Sequence, residues 1–235
     1  MKGTCGTGRV ASGAGSCVWR WAIGVVALVA PLYACSGTDT AEWKEEVKLH
    51  DGQVIVLERR ATIGSSGFPT QHRGSIQHWE ICYRPMNVYW KSGGVFRPEI
   101  FDIVDGIPYV MVPADHCSIC QLYDYPEKSA MFFRFGKDGW KRIPFSEFPR
   151  ELDTNLLRRA LSGRSRSDDV RGFMTLAAKA KWDGDPKWVG GTFRQWMEGE
   201  RGRRCEECMT GPRGQVGVRS SYEVLLNNGL DCPSK

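Results

Sequence analysis

The sequence predicts an α+β fold, a meander of antiparallel β-hairpins followed by three short α-helices. Two observations lead to this prediction. Up to about residue 145, alternating or β-branched apolar runs are separated by Asp-Gly pairs, as in strands joined by tight turns. After Pro149, apolar residues recur every three or four positions, which is the period of a helix. Strands followed by helices are typical of the α+β class.

The β-rich part, residues 42–150, is predicted to contain three hairpins. The first covers residues 43–60, and its Asp51-Gly52 pair suits a type I′ turn, in which both turn residues have positive φ. The second is centred on Asp105-Gly106 and is the strongest core candidate. The third has GKDG, residues 136–139, as a four-residue loop. Two further strands are predicted on either side of Pro85, and an exposed loop at residues 64–69.

The helical part, residues 151–204, is predicted to hold three short helices. A shared apolar face indicates the first, which Gly163 would end: Leu152, Leu156, Leu157, Ala160 and Leu161. Ser167 is the predicted N-cap of the second helix, which would bury Val170, Phe173, Met174 and Ala177 and stop at residues 182–186. Thr192 and Gln195 have capping-box spacing for the third, which would end near Gly202. Residues 205–235 are predicted to be a cysteine-containing tail.

Nine cysteines are many for a chain of 235 residues. Cys5 and Cys17 lie before an apolar run at residues 21–33, and Cys35 follows it. The remaining six form an even set, which in an exported protein indicates disulfides: Cys82, Cys117, Cys120, Cys205, Cys208 and Cys232. Their pairing stays open. Either each C-x-x-C closes on itself while Cys82 pairs with Cys232, or the two C-x-x-C pairs bond to each other.

The two C-x-x-C pairs also permit other chemistry. Four thiolates can hold zinc, but the pairs are much farther apart than in a compact zinc ribbon. A C-x-x-C pair that exchanges thiols is expected at the start of a helix in a βαβ unit. Cys117, in contrast, is predicted to follow a hairpin strand. We therefore predict structural disulfides, with no metal and no cofactor.

No established catalytic motif is found after Cys35, so no catalytic residue is assigned and an enzyme is the less favoured class. His116 lies beside Cys117, but neighbours on a strand point to opposite faces and cannot act as a pair. Aromatic residues that could line a ligand groove are interpreted as core: Tyr83, Tyr89, Trp90, Tyr123 and Tyr125. The 32 basic and 27 acidic residues are nearly balanced, so no nucleic-acid partner is expected.

The apolar run at residues 21–33 is too short to cross a bilayer, which takes about 20 helical residues. The run ends in Leu32 and Tyr33, which together with Ala34 and Cys35 resemble the lipobox of bacterial lipoproteins at every position except Tyr33. The resemblance implies that residues 1–34 are a signal peptide and that Cys35 carries acyl chains such as palmitate. Several chains on one residue give stable membrane anchoring.

Residues 35–41 are then a lipidated polar tether. In the enterobacterial members of this family an aspartate after the cysteine favours the inner membrane. Ser36 therefore implies an outer-membrane lipoprotein with its domain in the periplasm or at the cell surface. The segment WKEEV that begins at Trp43 resembles uncharacterised proteobacterial lipoproteins. The expected function is non-enzymatic binding or scaffolding of an envelope protein partner; the alternative is a thiol-disulfide or metal-dependent envelope enzyme that uses one C-x-x-C.

Overall fold

The computed structural model describes residues 39–64, 75–160, 172–181, 193–210 and 231–233. These residues belong to one compact unit, Gly37–Lys235. Several predictions lie outside the described residues: the signal peptide, Cys35, the loop at 65–69, the caps Ser167 and Thr192, and the helix stop at 182–186.

The α+β fold is confirmed, and the described strands form two sheets. The first sheet has the order β4-β3-β2-β1-β9 and is antiparallel except for β9, which pairs with β1 in parallel over two residues. Its strands are β1 Asp39–Lys48, β2 Val54–Ile63, β3 Ile76–Tyr83, β4 Val88–Gly93 and β9 Phe173–Met174. β1 thus begins inside the segment predicted to be a tether.

The second sheet is an antiparallel meander in chain order. Its strands are β5 Ile100–Val104, β6 Ile107–Pro113, β7 Ala130–Gly136 and β8 Gly139–Ile143. Both residues of the Asp105-Gly106 turn have positive φ, at 50° and 76°, as the type I′ prediction requires. At Asp51-Gly52 only the glycine has positive φ. The type I′ prediction is therefore wrong there, because a three-residue loop with Gly52 in the left-handed region joins β1 to β2.

The described residues also form four short α-helices: α1 Cys117–Leu122, α2 Leu176–Lys181, α3 Phe193–Glu198 and α4 Glu200–Thr210. The last three follow the sheets, as predicted for the class, and α3 lies where the third helix was predicted. The other positions differ. Phe173 and Met174 lie in β9 instead of in the second helix. The helical region continues past Gly202 through Cys205 and Cys208, which were assigned to the tail. Cys117 follows β6, as predicted, and is the first residue of α1.

The first predicted helix, around residues 152–160, is also wrong. In the structure Leu152, Leu156 and Leu157 are buried, but the segment is irregular. Its backbone bonds to other elements: the N–H groups of Asn155 and Leu156 donate to the carbonyl of Glu99, and the N–H of Leu157 donates to the Glu45 carboxylate. These tertiary partners replace the bonds that a helix would make internally.

The two sheets face each other across a core rich in aromatic rings. Trp90 of β4 packs against Phe133 and Trp140 of the second sheet, with ring centroids 4.7 Å and 5.2 Å apart. The Trp140 indole N–H donates to the carbonyl of Tyr89 at 2.7 Å. The opposite face of the second sheet is covered by α3, whose Phe193 and Trp196 join the rings of that side. Sheet packing and helix packing therefore bury both faces of the second sheet.

The first sheet has one inner face, formed by odd-numbered residues of β1 and β2, and one outer face, formed by the even-numbered ones. One half of the inner face packs on the second sheet. The other half, around Trp43 and Trp79, is covered by Leu157, Met174 and Ala178. Leu157, β9 and α2 thus close this half of the sheet.

Candidate functional site

All six cysteines predicted to be oxidised form disulfides, each between residues far apart in the chain. The pairs are Cys82 with Cys232, Cys117 with Cys208, and Cys120 with Cys205, at sequence separations of 150, 91 and 85. The C-x-x-C pairs therefore bond to each other, and Cys82 bonds to Cys232. Paired in this way, the cysteines are not available as thiolate ligands for a metal.

Cys82 lies on the outer face of β3, and its disulfide holds residues 231–233 against that face. Asn87, which follows β3 in the left-handed conformation, accepts the N–H of Cys232 at 3.1 Å and donates to Asp231. Arg84 donates to the carbonyl of Pro233 at 3.1 Å. The carboxyl-terminal segment is thus fixed along one side of the outer face.

Next to this segment the outer face forms an open groove of about 570 Å³. Charged side chains of alternating sign cross it from strand to strand. Arg60 contacts Glu42 at 2.8 Å and Glu80 at 3.4 Å, and Lys91 contacts Glu80 at 3.4 Å. The lining residues also include Lys44, Glu58, Arg84 and Tyr89. This charged groove is the best candidate for a binding surface in the described part of the chain.

Tyr89 is the aromatic residue of the groove. Its side chain is largely buried, and burial together with the neighbouring Glu80 carboxylate raises the pKa of its hydroxyl. The hydroxyl therefore stays protonated at physiological pH and can donate a hydrogen bond. Tyr89 is buried, as the sequence interpretation expected, but consecutive strand residues point to opposite faces, so only Trp90 joins the core between the two sheets.

Three charged residues form a buried cluster on the inner face. The Glu45 carboxylate contacts Arg59 Nη1 and Lys179 Nζ, both at 2.7 Å, and accepts the N–H of Leu157 at 2.7 Å. Burial alone would raise the pKa of Glu45, but the two cations outweigh it and lower that pKa. Burial lowers the pKa of Lys179, and Glu45 opposes this shift. The guanidinium of Arg59 also lies 5.1 Å from the ring of Trp43, within range of a cation–π contact.

His50 and Asp102 form a second polar site, which the sequence interpretation missed. His50 Nδ1 lies 2.8 Å from Asp102 Oδ1, and the other carboxylate oxygen accepts the His50 backbone N–H at 3.0 Å. The side chain of Asp102 is 1% exposed and that of His50 is 23% exposed. The hydrogen bond to Asp102 raises the pKa of His50, although burial opposes it. The ring borders a cavity of about 430 Å³ that Glu151 and Asn155 also line.

The pair links the β1–β2 turn to the second sheet. A buried carboxylate that orients an imidazole also occurs in enzymes, but a catalytic site needs a nucleophile and donors for the developing charge in addition. Its two residues are 52 positions apart, and no local pattern connects them. His116, the histidine favoured by the sequence, precedes α1 at the N-cap position and makes no side-chain cap bond.

No group of three or more His, Cys, Asp or Glu residues in the described ranges could hold a metal ion. The helices described are all too short or too polar to cross a membrane. No protein family, no curated protein and no solved structure matches the chain. The geometry of the site is therefore the basis for a functional proposal.

Proposed function

We propose that this chain is an exported bacterial lipoprotein, anchored through Cys35 in the outer membrane, whose disulfide-linked domain binds or scaffolds an envelope protein without catalysing a reaction. The domain lies in the periplasm or at the cell surface. The observation that carries the proposal is the use of all six cysteines after Cys35 in long-range disulfides. Disulfides of this kind persist in oxidising compartments and are rare in the reducing cytosol.

The charged groove supports the binding part of the proposal. It is open, and its salt bridges leave alternating charges at the surface, which favour specific contact with a partner of complementary charge. Lys44 is an exposed residue of the groove and lies between Glu42 and Glu46 along β1. A change of sign at Lys44 therefore alters the electrostatic pattern without disturbing the core.

Membrane fractionation tests the anchor. Wild-type protein should be recovered with membranes and carry acyl groups on Cys35 by mass spectrometry, whereas Cys35→Ser should be recovered in the soluble fraction. Ser36→Ala is the matched control and should remain lipidated. Ser36→Asp should move the protein to the inner membrane on a density gradient. Equal membrane recovery of wild type and Cys35→Ser would reject the anchor.

Partner capture tests the groove. The protein is cross-linked in the native envelope and purified beside two variants, Lys44→Glu in the groove and Lys137→Glu in the exposed β7–β8 turn. A partner of the groove should be recovered by wild type and Lys137→Glu and be depleted with Lys44→Glu. A partner recovered equally by all three does not use the groove.

A thiol-disulfide or metal-dependent enzyme is the rival proposal, and one observation favours it. Cys117 is exposed and opens α1, a position from which a cysteine can react with other thiols. Such an enzyme should reduce insulin in the presence of dithiothreitol, or retain stoichiometric metal through purification. Either result would replace the non-enzymatic proposal.

A further inference from the structure

The two disulfides that join α1 to α4 differ in their exposure. The inner disulfide, Cys120–Cys205, is part of the core, and its residues are 0% and 2% exposed. The outer disulfide, Cys117–Cys208, joins an exposed residue to a half-buried one. An external thiolate needs access to a sulfur atom in order to attack it, so the outer disulfide is open to exchange while the inner one is shielded.

The spacing within each helix brings the two disulfides together. Cys117 and Cys120 are three residues apart on α1, and Cys205 and Cys208 are three residues apart on α4. Residues at this spacing are neighbours on one helix face, with Cβ atoms about 5–6 Å apart. A thiolate freed from the outer disulfide therefore lies one helical turn from the inner one.

We propose that the outer disulfide is a thiol-exchange site for an external dithiol, and that opening it allows the remaining disulfide to move into one of the two helices. The proposal does not depend on the lipid anchor. In the first step a thiolate of the dithiol attacks Cys117 Sγ, a mixed disulfide forms, and Cys208 leaves as a thiolate. The second thiol of the reagent then attacks the reagent sulfur that is bonded to Cys117, and Cys117 leaves as a thiolate. The reagent loses two electrons as it becomes a disulfide. The Cys117–Cys208 disulfide gains the same two electrons and becomes two thiols.

The rearrangement needs no further electrons. The thiolate of Cys117 attacks Cys120, forms a Cys117–Cys120 bond and releases Cys205; the equivalent attack by Cys208 on Cys205 releases Cys120. Either product removes the last covalent link between α1 and α4. The amino-terminal half of α4 is then held by packing and by hydrogen bonds such as those of Ser129 Oγ, which accepts the N–H of Cys205 at 2.7 Å and donates to the carbonyl of Gly202 at 3.2 Å. The exchange site thus controls how firmly α4 is attached to α1.

The test is a time course of oxidised full-length protein in detergent with limiting dithiothreitol. Samples are quenched by alkylation and analysed as non-reduced peptides. The Cys117–Cys208 peptide pair should disappear first, followed by a peptide with a local Cys117–Cys120 or Cys205–Cys208 bond. Loss of the Cys120–Cys205 pair before the Cys117–Cys208 pair, or loss of both without a local bond, would overturn the proposal.

Two double variants serve as matched controls. In Cys117→Ser/Cys208→Ser, the inner disulfide should open at least about tenfold more slowly than the outer disulfide of wild type, because it must await local opening of the structure. In Cys120→Ser/Cys205→Ser, the outer disulfide should open at the wild-type rate and give no local bond. If a variant does not fold, the wild-type time course decides alone.

A parallel time course with glutathione compares a monothiol with a dithiol as the reducing reagent. A monothiol lacks the second thiol that completes the reduction, so it should accumulate a mixed disulfide on Cys117 or Cys208. A mixed disulfide found on Cys120 or Cys205 instead would contradict the assignment of the outer disulfide as the exchange site.

Discussion

Arg59 and Arg60 are consecutive residues of β2, yet they form ion pairs on opposite faces of the first sheet. Arg59 contacts Glu45 at 2.7 Å on the inner face, where both side chains are 0% exposed. Arg60 contacts Glu42 at 2.8 Å on the outer face, where the two side chains are 38% and 62% exposed. The distances are almost equal, so the difference between the pairs lies in their surroundings. Water screens the outer pair and is excluded from the inner one.

The largest effect is expected from Glu45→Ala. It leaves Arg59 and Lys179 buried without their shared carboxylate, and the N–H of Leu157 loses its acceptor. Breaking a buried ion pair in this way should lower the free energy of unfolding by about 3–5 kcal/mol. Urea denaturation at neutral pH measures the loss.

An apolar replacement of the whole cluster separates the effect of charge balance from that of the specific hydrogen bonds. Glu45→Leu/Arg59→Met/Lys179→Met removes all three buried charges together and should recover most of that loss. If the triple variant is as unstable as Glu45→Ala, the cluster is needed for its specific hydrogen bonds and not merely for charge balance.

An intermediate effect is expected in the uncharged core between the two sheets. Trp140→Phe removes an indole N–H that donates to the carbonyl of Tyr89, besides reducing the packed volume. Trp90→Phe is the matched control, since its indole nitrogen has no hydrogen-bond partner among the described residues. We expect Trp140→Phe to cost about 1–3 kcal/mol and more than Trp90→Phe. Equal losses in urea denaturation would show that the hydrogen bond contributes nothing.

His50 and Asp102 pair a partly exposed imidazole with a buried carboxylate, and their pairing should depend on pH. The folded pKa of His50 is raised above its ordinary value of 6.5. The pairing therefore contributes fully below that value, and the contribution is lost as pH rises through the higher folded pKa. We expect about 1 kcal/mol less stability at high pH, and a smaller change in His50→Gln. Thermal or urea unfolding of both proteins from about pH 6 to pH 9 measures this; equal pH dependence would exclude His50 as its source.

The smallest effect is expected on the outer face. Arg60→Ala removes the contacts with Glu42 and Glu80, but Glu80 keeps Lys91 at 3.4 Å. Exposed pairs of this kind contribute below about 1 kcal/mol, and salt reduces that further. A loss in urea denaturation as large as that of Glu45→Ala would show that burial does not separate the two faces.

Features set by local sequence patterns could be predicted from the sequence. The β-hairpins were predictable because strand alternation and turn chemistry are local, as at Asp105-Gly106. The inner cluster could also have been noticed, since Glu45 and Arg59 occupy inward positions between buried apolar residues. Charged residues at such positions need partners, and that requirement was the available signal.

Other features depend on contacts between distant parts of the chain. The apolar spacing around Leu152, Leu156 and Leu157 suits a helix, but backbone bonds to Glu99 and Glu45 hold the segment irregular. The pairing of His50 with Asp102 also depends on tertiary contacts, and so does the choice among disulfide partners. Six oxidised cysteines were predictable, whereas their connectivity required the fold.

A disulfide map of the exported protein tests the pairing of the six cysteines. Protein taken from the periplasm or envelope is alkylated under denaturing conditions, digested without reduction and analysed by mass spectrometry. We expect no free thiol among the six cysteines and three linked peptide pairs, Cys82–Cys232, Cys117–Cys208 and Cys120–Cys205. Free thiols at both C-x-x-C pairs, or each C-x-x-C closed on itself in the native oxidised protein, would contradict it.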